Sequence, residues 1–109
     1  MSKLYTLDNR QFISEASDTL VAVIDGSTIH SVADFYSAIS KALHFPDYFG
    51  ENLDALDEML YDLDWIEHDH VLLLITNSPQ FLQHEEAQRS QIITLIEEID
   101  NPYFEVCFM

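Results

Sequence analysis

Leu20-Val21-Ala22-Val23-Ile24 is a short apolar, β-rich run closed by Asp25-Gly26, the pattern of a strand that ends in a turn. From Val32 the spacing changes. Val32, Phe35, Tyr36, Ile39 and Leu43 recur every three or four residues, and Ser31 stands where a helix N-cap belongs. Asp34 then forms a capping-box pattern with Ser31, although Glu or Gln is the usual partner. Residues 45–50 read as a loop, and a second helix is expected from about residue 52 to residue 60 or a little beyond. Val71-Leu72-Leu73-Leu74-Ile75 shows no alternation, as expected of a strand buried on both faces. Between about residues 80 and 99, Ile92, Ile93, Leu95, Ile96 and Ile99 follow helical spacing, as one or two helices. Asn101-Pro102 stops that pattern, and residues 103–108 make a closing strand.

Strands separated by helical segments predict right-handed crossovers, and so an α/β fold: a small parallel sheet of three strands flanked by helices. Residues 1–19 read as an N-terminal extension, with a strand over 4–7, which would be a fourth, and a short helix over 9–16. The chain has 109 residues and is 48% hydrophobic, enough for a real core, so one domain over 1–109 is expected. Two glycines and three prolines fall between the periodic segments, and no linker or repeat divides the sequence.

The charge changes the picture more than the size does. Asp+Glu number 20 against Lys+Arg 4, a formal net charge of -16 with His neutral. So few cations cannot neutralise a phosphate backbone, which excludes direct binding of nucleic acid, and an anionic membrane would repel the chain. The expected partner is basic. Cys107 is the only cysteine, which suits a reducing compartment, and its apolar strand marks it as a small core residue. The first residues lack the apolar core of a signal peptide, and no segment reaches the roughly 18–20 apolar residues of a membrane span. A soluble, cytoplasmic protein, monomeric when free, is the expectation.

The acids are not spread evenly. Nine of them lie between Asp47 and Asp69, and no Lys or Arg occurs between Lys41 and Arg89. On a helical wheel Leu53, Leu56, Met59, Leu60 and Leu63 share one face, while Glu51, Asp54, Glu58 and Asp62 lie opposite. Exposed like charges at such spacings each cost a few tenths of a kcal/mol, so a helix selected for stability alone would mix in lysines. The helix dipole rewards acids in the first turn, Glu51 and Asp54, but not Glu58 or Asp62. A solvated face that keeps the protein in solution is the plain alternative. Against it, Tyr48 and Phe49 stand beside a glycine just before the helix, and aromatics are favoured binding anchors. Carboxylates and rings together can imitate the phosphates and bases of a nucleic acid.

The run Phe45-Pro46-Asp47-Tyr48-Phe49-Gly50-Glu51-Asn52-Leu53-Asp54-Ala55-Leu56 resembles the loop and second helix of the barstar family, intracellular inhibitors of the ribonuclease barnase. The likeness is good over residues 20–63 and rests on element order elsewhere. It implies a barstar-like fold and a domain that plugs a nuclease active site with this loop and helix. Tyr48 and Phe49 would then be aromatic contacts, Gly50 and Asn52 would shape the loop, and Asp54 and Glu58 would face the nuclease's cations. A glutamate of the last helix also contributes in the family, matched loosely by Glu97 or Glu98. The sequence departs from the pattern at Asp57, where the family has Trp, and at Glu58, where it has Asp. Glu is longer by one methylene, which moves its carboxylate out by about 1–1.5 Å. Asp62-Leu63 replaces Gly-Trp. These changes argue for a target other than barnase while leaving the inhibitor class intact. Asp57 and Asp62 are counted with the partner-binding residues because they share the acidic stretch.

Other chemistry is weakly supported. Glu67-His68-Asp69-His70 puts two histidines on one side of a strand start, but two ligands do not make a structural zinc site, so no metal or other cofactor is expected. Asp54 and Glu58 lack the nucleophile–base motif or phosphate-cradling loop that would make them part of an enzyme. Trp65 reads as covering the core, with a partner contact as the alternative. The expected function is one-to-one inhibition of a basic ribonuclease or ribonuclease-like toxin; the alternative is an immunity or adaptor-type module for a basic partner that is not a ribonuclease.

Overall fold

The computed structural model describes residues 18–109. Strand β1 (Thr19–Asp25) leads through a 3-10 turn at Gly26–Thr28 to helix α1 (Val32–Ala42) and helix α2 (Leu53–Asp62). Strand β2 (His70–Thr76), a second 3-10 turn (Ser78–Gln80), helix α3 (Glu86–Glu97) and strand β3 (Phe104–Phe108) follow. The expected strand over 4–7 and helix over 9–16 lie outside the described residues. Among those residues the sheet has three strands, all parallel, in the order β1-β2-β3. This is the small parallel α/β architecture that the alternation of strand and helix patterns predicts.

Right-handed crossovers that step twice in the same direction place their helices on one face of the sheet. The core agrees. Ala22, Ile24, Val71, Leu73 and Ile75 from the strands form one buried cluster with Phe35, Ile39, Leu56, Leu60, Ile92 and Ile96 from the three helices. Leu72, Leu74 and Cys107 point the other way and make a separate buried cluster. The whole of Val71–Ile75 is therefore buried, as its unbroken apolar run predicts. At the end of β1 the chain passes directly against β2. A Cβ on Gly26 would stand 2.6 Å from the Asn77 carbonyl oxygen and 2.7 Å from that of Thr76, so only glycine fits.

Helix α1 carries the capping box read from its sequence. The Asp34 N–H donates to Ser31 Oγ at 3.1 Å, and the Ser31 N–H donates to Asp34 Oδ2 at 3.2 Å. It ends in a Schellman motif: His44 takes the left-handed conformation at φ 56°, and the Phe45 N–H reaches back to the Ser40 carbonyl at 2.9 Å. That ending aims the next segment across the core.

The segment before α3 differs from the expectation of helix from about residue 80. Regular helix begins only at Glu86, after a 3-10 turn and an irregular stretch. Phe81 and Leu82 are fully buried here, Leu82 is left-handed at φ 50°, and its N–H donates to the Ile29 carbonyl at 3.1 Å. Two apolar side chains driven into the core by a tertiary contact cost the helix its first turns. Arg89 braces the stretch, its Nη1 donating to the carbonyls of Ser78 and Phe81.

Candidate protein-binding surface

The loop between α1 and α2 is held by rings. Phe45 and Phe49 meet edge to face with centroids 4.8 Å apart, Phe49 meets Tyr36 at 5.7 Å, and Phe45 meets Trp65 at 5.7 Å. Such pairs add about 0.5–1.5 kcal/mol each beyond the area they bury. Trp65 donates its Nε1–H to the Leu43 carbonyl at 2.9 Å, so the indole covers the core and fastens the end of α1. The Phe49 N–H closes a turn on the Pro46 carbonyl at 3.1 Å, which lifts Tyr48 to the tip. Tyr48 is 76% exposed, whereas Phe49 is half-buried. The adjacent aromatics thus have different placements: Phe49 anchors the loop to the core, and Tyr48 projects into solvent.

Beyond the tip, Glu51 adopts the left-handed conformation at φ 52°, and Asn52 caps α2. Asn52 Oδ1 accepts the Ala55 N–H at 2.8 Å, while its Nδ2 donates to the Gly50 carbonyl at 3.2 Å. One side chain therefore joins loop to helix. Gly50 itself has no positive φ; its role is spatial, since a Cβ there would approach Asn52 Nδ2 to 3.2 Å. Burial lifts the hydroxyl pKa of Tyr36 above its ordinary value, and the charge of Glu51 adds to the effect.

Helix α2 buries Leu56, Met59 and Leu60, and each such side chain stabilises the fold by about 1.5–3 kcal/mol. Leu63, buried just past the end, stays left-handed at φ 49°, and Asn101 Nδ2 donates to the Leu60 carbonyl at 3.1 Å. These contacts fix the rotation of the helix. As a result Asp54, Asp57, Glu58 and Asp62 are all exposed. A groove of about 600 Å³ runs between α2 and α3, with Asp54 and Asp57 on one wall, Glu98 on the other, and Leu53 and Leu95 also lining it. Glu97 lies instead beside β3, in a separate cleft with Phe104 and Val106. Of the two glutamates read from the sequence, Glu98 is the one gathered with the α2 acids.

The histidines make no comparable cluster. Among the described residues no three His, Cys, Asp or Glu side chains come together as metal ligands, and His70 lies against the Tyr103 ring at 5.8 Å. Burial raises the pKa of the Cys107 thiol, in keeping with a core position. Tyr61 lies outside the run that resembles the family's loop and helix. It is 62% exposed on the acidic side of α2, a position that its four-residue spacing from Asp57 would have revealed.

A three-stranded parallel sheet packed by helices, with a capped acidic helix following an aromatic loop, defines the barstar-like class of α/β domain. A sequence model of that family, described as Barstar (barnase inhibitor), matches residues 19–105, and the chain belongs to the barstar family. The match runs from the first residue of β1 into β3, well past the loop and helix that carry the motif.

Proposed function

We propose that the protein inhibits a basic ribonuclease, one-to-one and without a cofactor, by laying α2 and its preceding loop over the active site. The observation that carries this reading is the exposed face of α2: Asp54, Asp57, Glu58 and Asp62 with no basic side chain on the helix, beside the projecting ring of Tyr48. A ribonuclease site is built to stabilise phosphate charge and so presents cations without partners. Carboxylates already fixed on a packed helix match that field, speed association and make it fall steeply with salt. The proposed setting is the cytoplasm, against a cytoplasmic or imported nuclease, and the proposed role is binding, not catalysis.

Inhibition assays against a panel of basic ribonucleases test the reading. At least one enzyme should be blocked at a one-to-one ratio, and the Asp54→Ala/Glu58→Ala double variant should associate about 10-fold more slowly at low salt. If no enzyme in the panel is inhibited and the double variant associates like the parent protein, the proposal fails.

A further inference from the structure

We propose that Tyr61 is a specificity-determining contact of this surface, stacking on the guanidinium of an arginine that the basic partner presents to the C-terminal half of α2. The inference rests on the reading of α2 as the partner-facing helix and names what the C-terminal half of that helix recognises. On the helical wheel Tyr61 falls between Asp57 on one side and Asp54 and Glu58 on the other, at the centre of the exposed arc, and its ring is 62% exposed. A helical side chain leans toward the N-terminal turn, which sets this ring over the turn that carries Asp57 and Glu58.

The position has no explanation within the fold. An aromatic ring in a helix loses side-chain freedom and here gains little burial in return. Solubility would be better served by a charged residue. A flat, electron-rich face flanked by two carboxylates instead matches one natural side chain. A guanidinium is planar, stacks on aromatic faces, and carries N–H groups along its edge that a carboxylate accepts in pairs. A lysine ammonium offers neither the plane nor the fork. The Tyr48 ring stands at the loop tip before the N-terminus of α2, so the acidic strip carries one exposed ring at its approach and another near its far end.

The test uses the whole protein and titration calorimetry with a ribonuclease from the panel that it binds. Tyr61→Phe keeps the ring and should bind within about 3-fold of the parent. Tyr61→Ala and Tyr61→Leu should both weaken binding by about 10-fold or more, because neither has a π face. Urea midpoints close to the parent's establish that the variants fold, as expected for so exposed a side chain. If Leu binds like Tyr, the contact is merely apolar and the arginine assignment falls. If Ala binds like Tyr, the residue lies outside the interface and the proposal falls, while inhibition by α2 stands. If the parent binds no ribonuclease in the panel, both readings fall together.

Discussion

Replacing Asn52 by alanine removes a side chain that ties the aromatic loop to α2. Two bonds disappear: Oδ1 to the Ala55 N–H at 2.8 Å and Nδ2 to the Gly50 carbonyl at 3.2 Å. Losing an N-cap side chain costs about 1 kcal/mol. The second bond is exposed, so water replaces the amide and the further loss is about 0.5 kcal/mol. The sum, about 1.5 kcal/mol, corresponds to a fall in melting temperature of roughly 6–10 °C for a domain of this size. In urea, with a slope of about 1.5 kcal/mol per molar, the midpoint should drop by about 1 M. Asn52→Asp separates the two bonds, because aspartate still accepts the Ala55 N–H but cannot donate to Gly50. It should lose less than half as much. Urea titrations followed by circular dichroism measure both. A shift below about 0.2 M for alanine, or equal losses for alanine and aspartate, would refute the view that this cap joins loop and helix.

Two other regions give sharp contrasts. Gly26→Ala forces a methyl against two main-chain oxygens and should destabilise by about 2–4 kcal/mol, while Gly50→Ala meets only a movable side-chain amide and should lose under about 1 kcal/mol; thermal melts that reverse this order would sink the argument. Asp25 Oδ1 accepts from Asn77 Nδ2 and from the Ser27 hydroxyl and N–H, which hold its carboxyl below the ordinary 3.8. A pKa lower in the folded than in the unfolded chain gives stability that is present above the unfolded value and is lost as pH falls through the folded one. The stability gap between the parent and Asp25→Asn should therefore narrow as pH falls from 6 to below about 3.8, and a gap independent of pH contradicts it.

Local signals were legible in the sequence where local bonds decide the structure. The Ser31–Asp34 box, the start of α2 near residue 52 and the buried strand at Val71–Ile75 each follow from residues a few positions apart. What escaped depends on contacts between distant segments. Phe81 and Leu82 share the apolar spacing of α3, but their burial in the core, the bond from Leu82 to Ile29 and the Arg89 brace hold them outside the helix. Tyr48 and Phe49 are equivalent in a one-dimensional reading; Phe45 and Tyr36, brought in by the fold, decide which ring turns inward. Glu97 and Glu98 differ by 100° around a helix axis, so choosing between them requires the orientation of α3 against α2.

Trp65 is the only tryptophan in the chain, and its indole begins a line of touching rings that runs through Phe45 and Phe49 to Tyr36 beneath the loop. The fold has thereby built an optical gauge under the loop of the proposed binding surface. Any reseating of the loop must disturb the packing around the single indole fluorophore or its bond to the Leu43 carbonyl. A partner that docks on a rigid loop leaves that environment alone. Emission from the unmodified protein can thus distinguish a surface formed in advance from one shaped by contact, with no dye or label attached.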